Sequence, residues 1–155
     1  MRKSVLLFVL CALLLTLPAV AAAEGMAWRE LPVVAQVQWD GKLGGTESLQ
    51  LQLRAGQTVQ VDLLAAAGTG YLWSTPITAD LKYAVLAHDS GPQALTDRMG
   101  GPLQQRLFYQ ARGGVEGTET LTFVLRRPWE AADKIAATRT LTISGKPEKE
   151  PRKGT

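Results

Sequence analysis

The sequence predicts an all-β chain, an antiparallel β-sandwich of seven or eight short strands. Three observations point there. Apolar residues recur with period two over several stretches, giving each stretch one face for a core and one for solvent. Clusters of Gly, Pro, Asp and Thr separate these stretches, as tight connections between strands require. No stretch sustains a 3.6-residue period for three turns.

The elements follow in order. Val33 to Trp39 is a first, less regular strand candidate. Leu49, Leu51 and Leu53 then alternate with Gln50, Gln52 and Arg54, and after a turn at Gly56 Val59, Val61 and Leu63 alternate with Thr58, Gln60 and Asp62. Tyr71 to Ser74, Leu81 to His88 and Arg106 to Ala111 are shorter or less regular. The pattern sharpens again in Leu121, Phe123 and Leu125, and in Leu141 and Ile143 between Thr140, Thr142 and Ser144. Glu130 to Ala137 is at most a short helical turn inside a loop. The Cys-Trp-Cys core of antibody domains is missing, so an immunoglobulin-like label rests here on strand count alone.

Three regions divide the 155 residues. Residues 1–23 read as a secretory signal peptide: Arg2 and Lys3 open it, Val5 to Leu17 is apolar except for Thr16, and Ala21-Ala22-Ala23 supplies small residues for cleavage. The apolar run falls short of the roughly 20 residues a membrane-spanning helix needs. Cys11 follows Val9-Leu10 and not the small residues of a lipoprotein signal, so it reads as a passive apolar residue. Residues 24–145 form the sandwich domain. Residues 146–155, charged, with two prolines and no large apolar side chain, read as a disordered tail.

Cleavage changes what the composition implies. The whole chain carries 17 Lys plus Arg against 14 Asp plus Glu, a net charge of +3; without Arg2 and Lys3 it falls to +1. Such a domain has no basic field to attract phosphate backbones or anionic lipid, so neither nucleic acid nor a membrane surface is expected as partner. Cys11 is the one cysteine, so the remainder has no disulfide, thiolate nucleophile or cysteine metal site. His88, the single histidine, reads as a solvated strand-end residue; no metal, cofactor or catalytic residue is expected. A nucleophile elbow, a phosphate-binding glycine loop and a His-Glu-x-x-His run are all absent, which disfavours an exported hydrolase. The expected state is a periplasmic or secreted monomer.

Three connections stand out. The first, Ala66-Ala67-Gly68-Thr69-Gly70-Tyr71-Leu72-Trp73, places two glycines just before an aromatic strand, where backbone can approach another surface closely. The second, Asp89 to Leu103, has no strand pattern and contains Arg98-Met99-Gly100-Gly101-Pro102; loops of such length in compact domains are commonly functional. The third, Arg127-Pro128-Trp129, sets a rigid proline and a large aromatic where the chain leaves a well-patterned strand. An exposed tryptophan there is a candidate anchor.

At these residues the chain resembles the chagasin-like inhibitors of papain-family cysteine peptidases. That family is marked by Asn-Pro-Thr-Thr-Gly-Tyr/Phe-x-Trp, Gly-x-Gly-Gly and Arg-Pro-Trp/Phe in three loops at one end of an immunoglobulin-like sandwich. Here Thr69-Gly70-Tyr71-Leu72-Trp73 matches the second half of the first motif, Gly100-Gly101 the end of the second, and Arg127-Pro128-Trp129 the whole of the third, in the same order. The resemblance runs from about Leu49 to Ser144. Ala66-Ala67-Gly68 stands where the family has Asn-Pro-Thr, and Arg98 where the second motif opens with glycine. Asn, Pro and Thr are expected to hold the first loop in shape, so restoring them should tighten binding.

The resemblance implies a reversible, non-covalent inhibitor whose partner is a papain-like cysteine peptidase. Gly68, Thr69 and Gly70 would lie over the catalytic cysteine with Tyr71 also among the peptidase-binding residues, Met99, Gly100, Gly101 and Pro102 on one wall of the cleft, and Arg127, Pro128 and Trp129 on the other. Several of these residues have a second reading. Gly70 serves a positive φ at a turn, Tyr71 divides between loop support and contact, and Arg127 pairs with Glu130 or grips a partner. Trp129 plugs the sandwich end or stands exposed, the resemblance favouring exposure. Trp73, in alternation with Tyr71, reads as core. The alternative function is a periplasmic binding or assembly module for another envelope protein.

Overall fold

The computed structural model describes residues 28–113 and 117–145, which form two packed β-sheets. The signal peptide and charged tail expected from the sequence lie outside the described residues. Among the described residues there are nine strands: β1 (Val33–Trp39), β2 (Thr46–Leu53), β3 (Thr58–Ala66), β4 (Leu72–Ser74), β5 (Ala84–Asp89), β6 (Gln93–Ala94), β7 (Pro102–Ala111), β8 (Thr118–Arg126) and β9 (Ala137–Gly145). One sheet runs β1-β3-β7-β5, with β6 also on β7, and the other β2-β9-β8-β4.

Two expectations about the sheets are corrected. The strand number is nine, not seven or eight, because β6 arises inside the connection that lacks a strand pattern. Gln93 and Ala94 pair with Gln104 and Leu103. A strand of two exposed residues shows no alternation, so its pairing comes from the neighbouring β7 edge. Nor are the sheets purely antiparallel. β1 runs parallel to β3 and β2 parallel to β9. β2 belongs to the opposite layer from β1 and β3, so the chain crosses the sandwich between them, the long connection a parallel pair requires.

The core lies between the layers where the alternation of β8 and β9 puts it, but β2 buries only Leu53 and exposes Leu49, and β3 is buried on both faces, Thr58, Gln60 and Asp62 included. Val59, Val61, Leu63, Leu107 and Tyr109 from one sheet meet Leu121, Phe123, Leu125, Leu141 and Ile143 from the other, all buried. Each such apolar side chain contributes about 1.5–3 kcal/mol on leaving water. Phe123 sits between Trp39 and Tyr109, with ring centroids 5.5 and 6.1 Å away. Burial, with nearby Asp89 as a smaller cause, pushes the Tyr109 phenol's pKa up.

Polar groups fix the layers further. Asp62 lies opposite Arg106 on β7 and accepts from its Nε at 2.8 Å and Nη2 at 3.1 Å. Glu119 on β8 accepts from the backbone amides of Lys82, Tyr83 and Ala84, tying the entry to β5 across the sandwich. β5 therefore starts at Ala84, three residues later than Leu81. His88 lies at the end of β5, one residue before its last, as expected, but it is half-buried and not solvated, its ring centroid 6.0 Å from that of Phe108.

Arg139 occupies an inward position on β9 and is almost wholly buried. Its Nη1 donates to the carbonyl oxygens of Thr138 at 3.0 Å and Gly45 at 3.4 Å, and its Nη2 is 3.1 Å from Glu47 Oε1. The guanidinium carbon is 5.9 Å from the centroid of Trp73. A cation thus anchors the start of β2 beneath one end of the sandwich.

Candidate functional site

The register puts the three unusual connections at one end. β3 ends at Ala66 opposite Pro102, the first residue of β7, so the first and second loops leave the same sheet edge together. β4 pairs with the end of β8, Leu72 opposite Arg126, which sets the third loop against the other flank of the first. The first loop is therefore central.

That loop is a turn with defined geometry. Ala67–Thr69 make one 3-10 turn, and Gly70 closes it in the left-handed region at φ 74°. Thr69 Oγ1 donates to the Ala66 carbonyl at 2.6 Å, and the Gly70 amide donates to the Ala67 carbonyl at 3.2 Å. Hydroxyl back-bonding of this sort stabilises a turn. It holds a segment where no asparagine or proline side chain is present.

The second loop is the tip of a hairpin, not the structureless connection expected from composition. The Leu95 amide donates to the Pro102 carbonyl at 3.0 Å and the Gly101 amide to the Arg98 carbonyl at 3.0 Å. Gly100 takes φ 73°, and a Cβ on Gly101 would collide with Thr96 Oγ1. Both glycines are thus required by the tip. Met99 at its apex is fully exposed. This hairpin touches the first loop through the Ala67 amide, which donates to the Gly101 carbonyl at 3.2 Å. Gly68 and Gly100 face each other, so close that a Cβ on either would sit 3.6 Å from the other's Cα.

The third loop grips the opposite flank. Arg127 Nε donates to the Thr69 carbonyl at 3.0 Å, its Nη1 donates to Glu130 Oε1 at 3.2 Å, and its guanidinium carbon lies 4.5 Å from the Tyr71 ring centroid. The Glu130 amide donates back to the Arg127 carbonyl, closing a turn with Pro128 and Trp129 at its apex. The Trp129 indole lies against Gly70: a Cβ there would overlap Trp129 Cη2 and stand 2.8 Å from Cζ2. Trp129 still exposes 70% of its surface.

The structure therefore brings together all three predicted segments. Gly70 both adopts a positive φ and makes room for Trp129. Tyr71 is partly buried against the core and supports the loop beneath Arg127. Arg127 pairs with Glu130 and, in addition, holds the first loop. Trp129 stands exposed. Trp73 is a core residue, its Nε1 donating to the Leu64 carbonyl at 2.8 Å.

A fourth segment at this end was not foreseen. The β1–β2 crossover, Asp40 to Gly45, starts beside Leu63 and ends beside Ala137–Thr138, because β1 runs parallel to β3 and β2 to β9. Its signal in sequence is an apolar Leu43 isolated among glycines and charges. Among the described residues, no group of three His, Cys, Asp or Glu is placed to hold a metal, and no helix is long and apolar enough to cross a membrane.

Comparison with known proteins bears on the family and the fold. Residues 52–143 match the model of the chagasin family peptidase inhibitors. No curated protein sequence matches the chain. Among solved structures, the cysteine protease inhibitor EhICP2 from Entamoeba histolytica is 19% identical, with 72% of this chain and 96% of that one covered and a TM-score of 0.54. PbICP-C, solved in complex with falcipain-2, is 20% identical, with 71% and 99% covered and a TM-score of 0.50. At such identity these likenesses speak for a common fold, while the family match spans more than half of the sequence. The chain belongs to the chagasin family of peptidase inhibitors.

Proposed function

We propose that this chain is a reversible, non-covalent inhibitor of papain-like cysteine peptidases, exported to the periplasm or beyond and acting as a monomer through the three loops. A peptidase of this class attacks an extended chain whose carbonyl reaches its oxyanion hole, with a thiolate at the bottom of a cleft between two domains. Gly68, Thr69 and Gly70 would enter that cleft. Met99 to Pro102 would rest on one wall, and Arg127 with Trp129 on the other.

One observation carries the reading: the first loop is clasped on both flanks, by Gly101 on one side and by Arg127 and Trp129 on the other. Clasping has two consequences. It removes conformational freedom before binding, so less ordering free energy is lost in the complex. It also protects the loop from cleavage. A 3-10 turn does not lie extended along a cleft, and the Thr69 carbonyl already accepts a hydrogen bond from Arg127.

Trp129 is the principal anchor, since truncating a buried interface tryptophan commonly costs about 2 kcal/mol or more. Titrating the protein against papain tests the proposal. Inhibition that reverses on dilution, with the chain recovered uncut, is the expected result; no inhibition at about 10 μM, weaker than roughly −7 kcal/mol, rejects it.

A further inference from the structure

The β1–β2 crossover shares the loop end of the sandwich and is as firmly held as the loops. Gly41 packs on β3 just before the first loop: a Cβ there would lie 2.8 Å from the Leu64 carbonyl oxygen and 2.9 Å from Ala65 Cα. Gly44 and Gly45 take φ of 91° and 76°, values that side chains rarely permit. The Gly44 amide donates to the Ala136 carbonyl at 2.6 Å, and the Thr138 amide to the Gly45 carbonyl at 3.2 Å. Asp40 accepts from the Lys42 amide and pairs with its Nζ at 3.0 Å. The segment is thereby stitched to the descending arm of the third loop.

Beside the exposed ion pair of Asp40 and Lys42 it displays apolar side chains. Leu43 is 59% exposed, and Ile135, next to the Ala136 that holds Gly44, is 50% exposed. Ile135 is in turn fixed by its amide, which donates to the Asp133 carbonyl at 2.9 Å. Rigid backbone carrying exposed apolar groups beside a binding edge is the make-up of an interface. Leu43 also precedes residues 52–143, the span that the family model matches.

We infer that Leu43 and Ile135 form a fourth contact, an apolar extension of the Trp129 flank that rests on the outer rim of the target peptidase's cleft and selects among peptidases. The inference rests on the inhibitor reading. The occupant is the same peptidase because Ile135 and Trp129 belong to one connection between β8 and β9, and the crossover is hydrogen-bonded to that connection at Ala136. A peptidase with an apolar rim on that side would be favoured over one with a charged rim, where Leu43 and Ile135 would desolvate an unpaired group.

The test measures inhibition constants of the full chain and of the variants Leu43→Ser, Ile135→Ser and Trp129→Ala against papain and several other papain-like peptidases. Thermal melts establish that each variant folds, and sedimentation gives its mass. The inference expects Leu43→Ser and Ile135→Ser to weaken inhibition at least fivefold for some peptidases and under twofold for others, whereas Trp129→Ala weakens it for all. Equal constants for wild type and both serine variants across the set would overturn the fourth contact and leave the three-loop reading standing. A dimer that Leu43→Ser dissolves would overturn it too, assigning the patch to a second copy of this chain. Absence of inhibition by the wild type would remove the inhibitor reading, and the fourth contact with it.

Discussion

Arg127 Nε donates to the Thr69 carbonyl at 3.0 Å, joining residues 58 positions apart and locking the third loop onto the first. The same guanidinium reaches Glu130 and lies over Tyr71, so one planar group serves three partners. Lysine offers a point charge without that fork.

Arg127→Lys should therefore weaken peptidase binding about tenfold, the loss of one charge-assisted hydrogen bond of roughly 1.5 kcal/mol. Its melting temperature should change little, because the ion pair with Glu130 is half-exposed. Inhibition assays beside thermal melts separate the two effects. A large drop in stability would make Arg127 a general brace for the fold.

Gly70 and Trp129 should behave as one unit. Gly70→Ala places a methyl group inside the indole and holds a side chain at φ 74°, a strain of about 1–2 kcal/mol. Trp129→Ala alone should leave stability nearly unchanged, since the ring is mostly exposed, but should weaken inhibition at least tenfold. Combined, the two should cost less stability than their sum, because removing the indole relieves the clash. Strict additivity in denaturant unfolding would contradict the contact.

The structure argues against proline at one position of the first loop. The Ala67 amide donates to Gly101, and proline has no such donor, so Ala67→Pro removes the bond between first and second loops. Its stiffening of the unfolded chain does not compensate where the N–H was hydrogen-bonded. Ala67→Pro should weaken inhibition and lower stability by about 1 kcal/mol. Gly68→Thr faces Gly100 at ordinary van der Waals distance and should be tolerated. Inhibition constants for both variants, measured separately, distinguish these outcomes.

Arg139 tests the scaffold beneath the loops. Glu47→Ala leaves a buried guanidinium with only carbonyl partners, and should destabilise the fold by about 1–2 kcal/mol. Arg139→Met keeps the length of the side chain and removes the buried charge, and the Arg139 Nε has no partner to lose. That substitution should be near neutral, as replacements of buried ion pairs often are. Urea unfolding of both variants checks the order.

Much of the scaffold is legible in the sequence because alternation reports burial in β8 and β9; it fails in β2, where Leu49 is exposed, and in β3, where Thr58, Gln60 and Asp62 are buried as well. Val33–Trp39 is a strand with the bounds expected, and the inward Leu121, Phe123, Leu125, Leu141 and Ile143 are all buried. Arg139 breaks the pattern, an arginine at an inward position, and no local signal predicts its carboxylate partner on β2. Parallel pairing of β1 with β3 is likewise invisible locally, since it depends on which layer β2 joins. That pairing also hid the crossover's place at the loop end. At the site, residue types mark the three loops, but their contacts do not follow from composition. Gly70 beneath Trp129 and Ala67 against Gly101 are meetings between distant segments, fixed only by strand register.

The central claim is that the clasped first loop enters a papain-like cleft and is not cut. Incubating the protein with active papain, following residual activity against dilution and then measuring the intact mass of the chain tests it most directly. The predicted result is inhibition that reverses on dilution with the full mass retained. No inhibition at about 10 μM, or prompt cleavage between Thr69 and Gly70, would contradict it.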